Sequence, residues 1–307
     1  MAIITLGSMA FDAIETPFGK IDKIVGGSGT YVAYAASHLS SPIQQISIVG
    51  NDFPQEELDE LEKRGVQLTG VEIVAEQKSF FWSGKYHLDM NTRDTLITDL
   101  NVLANFNPKV PEEYQGAEFL MLGNLMPSLQ LSVIEQLRTR PKLIVLDTMN
   151  FWMETALDDL KKVLLKVDAL MINDSEARQL SGEYSLVKCA KKILQMGPQY
   201  LIIKKGEHGA LLFHKDRVFF APALPLEEVF DPTGAGDAFA GGFIGHLAHT
   251  NNISFENMKT AIIVGSAMAS FCVEKFGPQR LKEITKKDID MRLERFVQLV
   301  NFDTALA

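Results

Sequence analysis

The residues of this chain with the clearest chemical potential form the run Asp231–Phe239, which reads Asp-Pro-Thr-Gly-Ala-Gly-Asp-Ala-Phe. Pro232 pushes the residue before it into an extended conformation, so a helix can begin only later in the run. The apolar residues that follow recur with helical spacing from about Ala235. The backbone N–H groups of Gly234, Ala235 and Gly236 would therefore lie at a helix start without intrahelical acceptors, an arrangement that binds anions.

A carboxylate, Asp237, follows this predicted anion site directly. If anion binding were the only purpose, an acidic side chain at this position would repel the ligand. The carboxylate is useful if Asp237 accepts the proton of a group that attacks the bound anion. Phosphoryl transfer needs both parts, donors for the charge on the transferred group and a base for the nucleophile. On spacing alone, the alternative is a helix start at which Asp237 is a surface charge that complements the helix dipole.

The run Asp231–Phe239 resembles the signature of the ribokinase-like (PfkB) family of carbohydrate and nucleoside kinases. The resemblance implies that Asp237 is the catalytic base and that the Gly234–Gly236 amides form the anion hole. It extends in family order from the first predicted strand to Gly277, and it implies ATP and Mg²⁺ as cofactors. The chain has no Walker A sequence, which excludes a P-loop kinase.

Composition narrows the classes of protein and partner. Of the 307 residues, 46% are apolar and 22% charged, as in an ordinary soluble globular protein. A net charge of −9 argues against nucleic acid or an anionic membrane as a partner. No apolar run reaches transmembrane length, and the first residues predict a buried strand rather than a signal peptide. Two cysteines in apolar helical patterns are typical of a reducing compartment, so we expect a cytoplasmic protein.

Short apolar runs alternate with longer helical patterns, which predicts a mostly parallel sheet with helices on both faces. The predicted strands are Ala2–Leu6, Gln45–Val49, Phe119–Leu122, Leu143–Leu146, Ala169–Ile172 and Leu201–Ile203. The predicted helices are about Ser28–Leu39, Gln55–Lys63, Ser128–Leu137, Glu154–Lys166, Ser185–Met196, Gly236–His249, Ser254–Glu274 and Thr285–Val300. The fold class is therefore α/β, and the resemblance implies one ribokinase-like three-layer α/β/α domain over residues 1–307. Polar residues and glycine follow the strands, so we expect the site at their carboxyl ends.

Two segments, about 13–25 and 71–96, interrupt this alternation and predict strands and turns that carry exposed aromatic residues. Neither segment is long enough to form a core of its own. We interpret them as a small β lid over the site, which the resemblance also implies and which would exclude water from the transfer step. The alternatives are a hairpin packed permanently on the domain and a homodimer contact, and a dimer role could coexist with a lid.

Candidates for substrate binding lie near the start of the chain. Gly26 and Gly27 precede an alanine-rich helix, where absent Cβ atoms would let a ligand approach the helix start. Asp12 follows the first predicted strand, and the resemblance implies that it accepts hydrogen bonds from substrate hydroxyls. Tyr31 stands where many sugar kinases of the family have Asn, so stacking on the substrate is the role we expect for it. The alternatives are a glycine turn without a ligand and a loop Asp that caps a turn.

A second group of candidates follows the later strands, and the resemblance assigns it to the nucleotide. Asn173 and Glu176 match an Asn-x-x-Glu motif that orders the waters on Mg²⁺, so Glu176 would act on the metal through water. In isolation the same residues predict a helix start capped by Asn173 or Asp174. The other nucleotide candidates are Lys204, Gly206, Gly209, Thr233 and Gly277, with Asp147 and Asn150 near the phosphates. The alternative for the Lys204 segment is a surface hairpin with solvated lysines, and the Gly277 region can hold a monovalent cation such as K⁺ in the family.

The sequence thus predicts an ATP-dependent phosphotransferase that acts on a hydroxymethyl group of a small-molecule sugar or nucleoside. Asp12 suits any polyol, whereas stacking by aromatic side chains would favour a nucleoside. The aromatic candidates are Tyr31, Phe80, Trp82 and Tyr86. The alternative from another class is a nucleotide- or sugar-binding sensor without turnover, which would be expected to lack the Asp or the glycines present here. A dinucleotide-dependent oxidoreductase is contradicted by the missing glycine fingerprint.

Overall fold

The computed structural model describes residues 1–301 and contains two sheets, whose strands alternate with helices. The strands are β1 (Ile3–Leu6), β2 (Ala10–Thr16), β3 (Gly19–Gly26), β4 (Ile43–Gly50), β5 (Val66–Val74), β6 (Phe80–Tyr86), β7 (Arg93–Asp99), β8 (Phe119–Leu122), β9 (Leu143–Asp147), β10 (Ala169–Asn173), β11 (Tyr200–Lys204), β12 (Ala210–His214) and β13 (Arg217–Ala221). The helices are α1 (Ser28–Ser37), α2 (Gln55–Lys63), α3 (Pro127–Gln136), α4 (Asn150–Thr155), α5 (Leu157–Leu164), α6 (Asp174–Ser181), α7 (Leu186–Leu194), α8 (Ala235–Thr250), α9 (Phe255–Cys272), α10 (Gln279–Glu283) and α11 (Lys286–Val300).

The larger sheet has nine strands in the order β13-β12-β11-β10-β9-β8-β1-β4-β5. Every neighbouring pair from β5 to β11 is parallel, and β12 and β13 add an antiparallel hairpin at one edge. The strands β1, β8 and β9 are buried along their whole length. Continuous apolar strands of this kind are required where helices cover both faces of a parallel sheet.

Helices cover both faces and enclose a separate core on each. On one face, α1, α8 and α9 pack on the sheet, with Phe243 and Ile262 fully buried. On the other face, α3, α5, α6 and α7 do so, with Val133 and Cys189 fully buried. These two cores confirm the predicted three-layer α/β/α fold class. None of the helices within residues 1–301 combines the length and apolar character that a membrane crossing needs.

All six predicted strands are present, each within two residues of its predicted bounds. The single helix predicted over Glu154–Lys166 is wrong, because the helical ladder breaks at Ala156, where φ is −144° and ψ is 35°. The result is two helices, α4 and α5. The sequence interpretation also missed β12 and the edge strands β5 and β13. The two edge strands are half-exposed and lack the continuous apolar run that marks buried parallel strands.

The smaller sheet has four strands in the order β3-β2-β6-β7. The predicted lid segment 13–25 lies within β2 and β3. The segment 71–96 is divided, because residues 71–74 end β5 in the larger sheet and only the later residues reach β6 and β7. The smaller sheet is therefore built from two hairpin-like pairs joined by the parallel pairing of β2 with β6.

Candidate active site

The candidate site lies where α1 and α8 begin, beside the carboxyl end of β1. The two helices pack closely because small residues line their contact, and a Cβ on Gly241 would lie 2.6 Å from the carbonyl oxygen of Val32. The start of α1 is fixed to the segment after β1, since the N–H of Gly29 donates to the carbonyl oxygen of Ser8 at 2.8 Å. This packing brings the glycines before α1 and the turn before α8 to the same edge of the sheet.

Asp231 holds the turn before α8, and its side chain is fully buried. One carboxylate oxygen accepts a hydrogen bond from the N–H of Thr233 at 2.8 Å, and the other accepts one from the N–H of Gly277 at 3.0 Å. Gly234 precedes the helix with φ 75° and ψ −2°, a left-handed conformation that glycine adopts without strain. No side chain caps this helix start, so its first N–H groups are left for other acceptors.

The three amides of the predicted anion hole are not equivalent. The N–H of Ala235 donates to the carbonyl oxygen of Pro232 at 3.2 Å, which closes a turn. Within residues 1–301, no protein carbonyl accepts a hydrogen bond from the N–H of Gly234 or Gly236. Ala235 therefore departs from the expectation of three free amides, and the open donors are those of the two glycines.

Asp237, in the first turn of α8, is half-buried. Burial raises the pKa of its carboxyl to about 7, with the charge of Asp147 adding to the rise and that of Lys204 opposing it. The Lys204 ammonium donates to Oδ2 of Asp147 at 2.7 Å, and a Cβ on Gly236 would lie 3.0 Å from that ammonium. A cation thus lies beside the open amide of Gly236, near a carboxyl group that titrates around neutral pH.

Asp12, on β2, is only 4% exposed. Burial raises its pKa to about 8, and the charge of Asp231 adds to the rise, while the N–H of Gly27 lowers it by hydrogen bonding. A Cβ on Gly26 would collide with the Asp12 carboxylate, and a Cβ on Gly27 would lie 2.5 Å from the carbonyl oxygen of Ser8. The absent Cβ atoms of the glycine pair therefore make room for protein atoms, and the approach of a ligand to this pair stays a prediction.

The aromatic candidates occupy two different environments. Tyr31 is 1% exposed, and a Cβ on Gly234 would collide with its ring. The ring forms the floor beneath Gly234 and has no open face, so this arrangement does not support the expected stacking on a substrate. Its hydroxyl is buried and has no hydrogen-bond partner within residues 1–301. Phe80 and Trp82 are half-buried on β6, and Trp82 pairs with Asp12 in the small sheet.

Asn173 and Glu176 form a capping box at the start of α6. The side-chain oxygen of Asn173 accepts from the N–H of Glu176 at 2.8 Å, and Oε2 of Glu176 accepts from the N–H of Asn173 at 2.7 Å. The helix-cap interpretation of this motif is therefore present in the structure. Burial raises the pKa of Glu176 to about 7, although the N–H of Asn173 and the charge of Lys204 oppose the rise.

The same residues fit a magnesium ion held mainly through water. Within the described part of the chain, no group of three or more His, Cys, Asp or Glu side chains is arranged to hold a metal. Only one oxygen of Glu176 is used by the cap, which leaves the other for a metal-bound water. Mg²⁺ keeps several of its waters in nucleotide sites, so a dedicated protein cage is not needed.

Gly206 and Gly209 lie in the turn between β11 and β12, with φ 55° and 79°. A Cβ on Gly206 would collide with the side-chain oxygen of Asn91, and a Cβ on Gly209 would collide with the carbonyl oxygen of Ala221. Protein atoms thus occupy the Cβ side of both glycines, and the expected approach of a nucleotide to this turn stays a prediction. The atom beside Gly206 belongs to Asn91, in the hairpin that joins β6 to β7 of the small sheet.

Two further nucleotide candidates lie directly under the small sheet. The hydroxyl of Thr233 is hydrogen-bonded to the hydroxyl of Tyr86, on β6, at 3.2 Å. A Cβ on Gly277 would lie 2.6 Å from Cδ1 of Ile24, on β3. The small sheet therefore contacts the Thr233 loop and the Gly277 loop, whose N–H groups both donate to Asp231.

Arg93, the first residue of β7, is a candidate site residue that the sequence interpretation missed. Its charge lowers the pKa of Asp12, of Glu176 and of Asp237, so its guanidinium lies within electrostatic reach of all three carboxyl groups. No motif marks Arg93 in the sequence. The one available signal was that it is the only Arg or Lys between Lys85 and Lys109, in a segment already interpreted as a lid.

The site combines an uncapped helix start, a neighbouring carboxyl group and the cations of Lys204 and Arg93. In a three-layer α/β fold, this combination defines a phosphotransferase class of site. The pfkB family of carbohydrate kinases matches residues 3–285, so the chain belongs to that family. It is a kinase, as its named relatives are. The family membership predicted from the run Asp231–Phe239 is confirmed.

Individual relatives cover most of the chain. The cytidine kinase of Thermococcus kodakarensis is 28% identical over 247 residues, which cover 79% of this chain and 87% of that protein. The nucleoside kinase of Burkholderia thailandensis in complex with inosine has a TM-score of 0.76 at 23% identity, covering 96% of this chain and 99% of the other. Ribokinase II from E. coli in complex with ATP and Mg²⁺ has a TM-score of 0.79 at 19% identity, covering 95% and 99%.

Proposed function

We propose that this kinase transfers the γ-phosphoryl group of ATP to a hydroxymethyl group of a sugar or nucleoside, with Asp237 as the general base. One observation carries the proposal: a carboxyl group with a pKa of about 7 lies at the start of α8, near the open amide of Gly236 and the Lys204 ammonium. Proton removal and charge stabilisation, the two requirements of this reaction, are thereby available at one point.

Asp237 acts in its ionised form. A pKa of about 7 leaves it partly ionised at neutral pH and makes the carboxylate a better proton acceptor than an ordinary Asp. The acceptor hydroxyl gives its proton to Asp237 as its oxygen bonds to the γ-phosphorus. At the same time the bond from phosphorus to the bridging oxygen breaks, and ADP leaves with that oxygen.

The charge on the transferred group is met by donors from both sheets. The N–H groups of Gly234 and Gly236 and the Lys204 ammonium lie on the side of the large sheet. Arg93 adds a guanidinium from the small sheet. Asp147 holds Lys204 at this position through the 2.7 Å hydrogen bond, so the cation is placed before any ligand arrives.

The metal part of the proposal assigns Glu176 to a water on Mg²⁺ and leaves direct coordination to the phosphates. When bound, Mg²⁺ neutralises charge on the β- and γ-phosphates. Glu176 would hold a metal-bound water through the oxygen that the helix cap does not use. A dependence on K⁺ belongs to the same proposal, because the loops of Thr233 and Gly277, which the family resemblance associates with that ion, are joined through Asp231.

A nucleoside is the favoured acceptor. The cytidine kinase relative and the inosine complex of the B. thailandensis nucleoside kinase support this choice. With a pKa of about 8, Asp12 is mostly protonated at neutral pH, so its carboxyl group can both donate to and accept from sugar hydroxyls. Trp82, half-buried on β6 in register with Asp12, is the aromatic side chain that we assign to the base.

The proposal also includes the small sheet as a lid and the cytoplasm as the compartment. Contacts of β6 with Thr233 and of β3 with Gly277 support a lid in its closed position. A homodimer formed through the lid is supported by apolar residues exposed on β7, Leu96 at 57% and Ile97 at 46%. Two buried free cysteines and the use of ATP support the cytoplasm.

An assay of ATP consumption against a panel of nucleosides and sugars, with and without Mg²⁺, tests this function. We expect Mg²⁺-dependent ADP formation with at least one nucleoside, and slower turnover with the free sugars. Tight binding of one compound without turnover of any would instead support a nucleotide- or sugar-binding sensor. Absence of ATP binding would overturn both interpretations.

A further inference from the structure

The hairpin that joins β6 to β7 reaches the turn after β11. Asn91 lies near the tip of this hairpin, and its side-chain oxygen occupies the position that a Cβ on Gly206 would need. Gly206 has φ 55°, a conformation that already favours glycine, and the absent side chain lets the carboxamide lie against the turn. The contact joins the small sheet to the turn between β11 and β12.

Hydrogen bonds within the hairpin tip hold Asn91 in one orientation. Asp89 accepts hydrogen bonds from the N–H of Asn91 at 3.1 Å, from the N–H of Thr92 at 2.8 Å and from the hydroxyl of Thr92 at 2.5 Å. The N–H of His87 donates to the carbonyl oxygen of Thr92 at 2.9 Å, which closes the hairpin. The side-chain N–H₂ of Asn91 donates to the carbonyl oxygen of Asp89 at 3.0 Å, so its oxygen is the atom left to face Gly206.

The flanks of the same hairpin contact other parts of the site. Tyr86, just before the hairpin, is hydrogen-bonded to Thr233 in the turn before α8. Arg93, just after it, is within electrostatic reach of Asp237. Gly206 itself follows Lys204, whose ammonium lies beside the α8 helix start. One short hairpin therefore reaches both the anion hole and the Gly206 turn, which the family resemblance assigns to the nucleotide.

We propose that Asn91 is a positioning residue through which donor nucleotide at the Gly206 turn favours closure of the lid. The inference rests on the proposed function, because it needs ATP as the donor, and it adds the assignment of the Gly206 turn to that nucleotide. A nucleotide that orders this turn stabilises the surface against which Asn91 docks, and it thereby favours the closed arrangement over the open one. Because such coupling is reciprocal, closure of the lid over an acceptor strengthens nucleotide binding by the same factor.

Tryptophan fluorescence of the full chain tests the proposal without knowledge of the acceptor. The chain has two tryptophans, and Trp82 lies on β6 of the small sheet while Trp152 lies in α4. In a Trp152→Phe parent, Trp82 becomes the single reporter of the lid. The β,γ-imido analogue of ATP with Mg²⁺ is the probe, and isothermal calorimetry measures its dissociation constant independently.

We expect the probe to change the Trp82 emission of the parent, and Asn91→Ala to remove most of that change. The dissociation constant of the probe should rise in the same variant by the coupling factor, typically about 5- to 150-fold. Leu88→Ala is the matched control, because Leu88 lies in the same hairpin and is 87% exposed. It should respond as the parent does.

A second variant approaches the contact from its other side. Gly206→Ala places a Cβ where the Asn91 oxygen lies, so it should also abolish the emission change. Combined with Asn91→Ala, it should cause no further loss of the emission change. An unchanged response in Asn91→Ala, with the probe bound normally, would overturn the inference alone. Failure of the parent to bind the probe by calorimetry would overturn the proposed function as well.

Discussion

Two helices begin at the same edge of the large sheet, and their starts are built in opposite ways. At α6, the side chains of Asn173 and Glu176 satisfy the first backbone N–H groups through a reciprocal capping box. At α8, Gly234 precedes the helix and no side chain caps it. The first start is closed by the chain itself, whereas the second leaves donors for a ligand.

The difference shows that the location of a motif alone does not reveal whether it binds a ligand or only stabilises the start of a helix. Both helix starts follow polar runs that resemble kinase motifs, and both lie near Lys204. The capped start supplies an oriented carboxylate, and the open start supplies free amides with Asp237 beside them. A helix N-terminus attracts anions in either case, but only unsatisfied donors can hydrogen-bond to one.

Replacing the base at the open start should have the largest effect. We expect Asp237→Asn to lower kcat by roughly 10²–10⁴-fold, because Asn cannot accept the proton of the hydroxyl. ATP binding should be retained, because the Asn side chain has nearly the same shape as Asp. Steady-state kinetics and calorimetric ATP binding measure the two quantities. Near-normal turnover would contradict the assignment of the base.

A stability measurement on the same variant tests whether it folds. The folded pKa of Asp237 is about 7, above the ordinary value of 3.8, so the stability from its neutral form is present below about 4 and lost as pH rises through 7. Asp237→Asn should therefore unfold at a higher temperature than the parent at pH 8, and at a similar temperature at pH 4.

Removing the cation beside the open start should have the next largest effect. Lys204→Met should lower kcat by about 10²–10³-fold, the range for loss of one preorganised donor to a developing charge. It should also lower the free energy of unfolding, because Asp147, 5% exposed, loses its partner. Adding Asp147→Asn should recover stability without recovering kcat, and recovery of both would contradict a role for Lys204 in transfer.

The pH dependence should report the environment of Asp237. Because the ionised form is active, kcat/KM should fall by at least about tenfold per pH unit below a pKa near 7, a range in which Glu176 also titrates. Asp147→Asn should move this acid limb to lower pH, because a neighbouring negative charge that raises the pKa is removed. A limb that stays in place in the variant would show that another group controls the profile.

Breaking the cap at the closed start should have the smallest effect on stability and should sharpen the comparison. Asn173→Ala should lower the free energy of unfolding by about 1 kcal/mol, the usual cost of losing an N-cap side chain. Thr285→Ala, at the capping box of α11, is the matched control. Both variants should lose similar stability, but only Asn173→Ala should raise the Mg²⁺ concentration needed for half-maximal rate, since it releases Glu176.

Much of the fold could be predicted from the sequence because its signals are local. Continuous apolar runs marked the buried parallel strands, and Pro232 with the following glycines marked the start of α8. The missed edge strand β5 shows the limit of this approach, since its half-exposed pattern resembles that of a lid strand. Which sheet such a strand joins depends on its pairing partner, and that partner is not adjacent in the chain.

The candidate site divides in the same way. Asp237 and the glycines around it could be identified from types and spacing, because a helix start is set by a few consecutive residues. Arg93 could not, because only the pairing of β6 with β7 and the position of the small sheet bring it toward Asp12 and Glu176.

The sequence by itself determined the α/β class, the family and the open helix start with its carboxylate, since dihedral restrictions and hydrophobic periodicity act over short stretches. The tertiary structure alone decided what lies beside each predicted glycine. Gly26 accommodates Asp12, Gly206 faces Asn91, and Gly236 lies beside the Lys204 ammonium, with no protein carbonyl accepting from its N–H within residues 1–301. The physical reason is that an absent Cβ creates space in any environment, and only the packing of distant segments determines what occupies it.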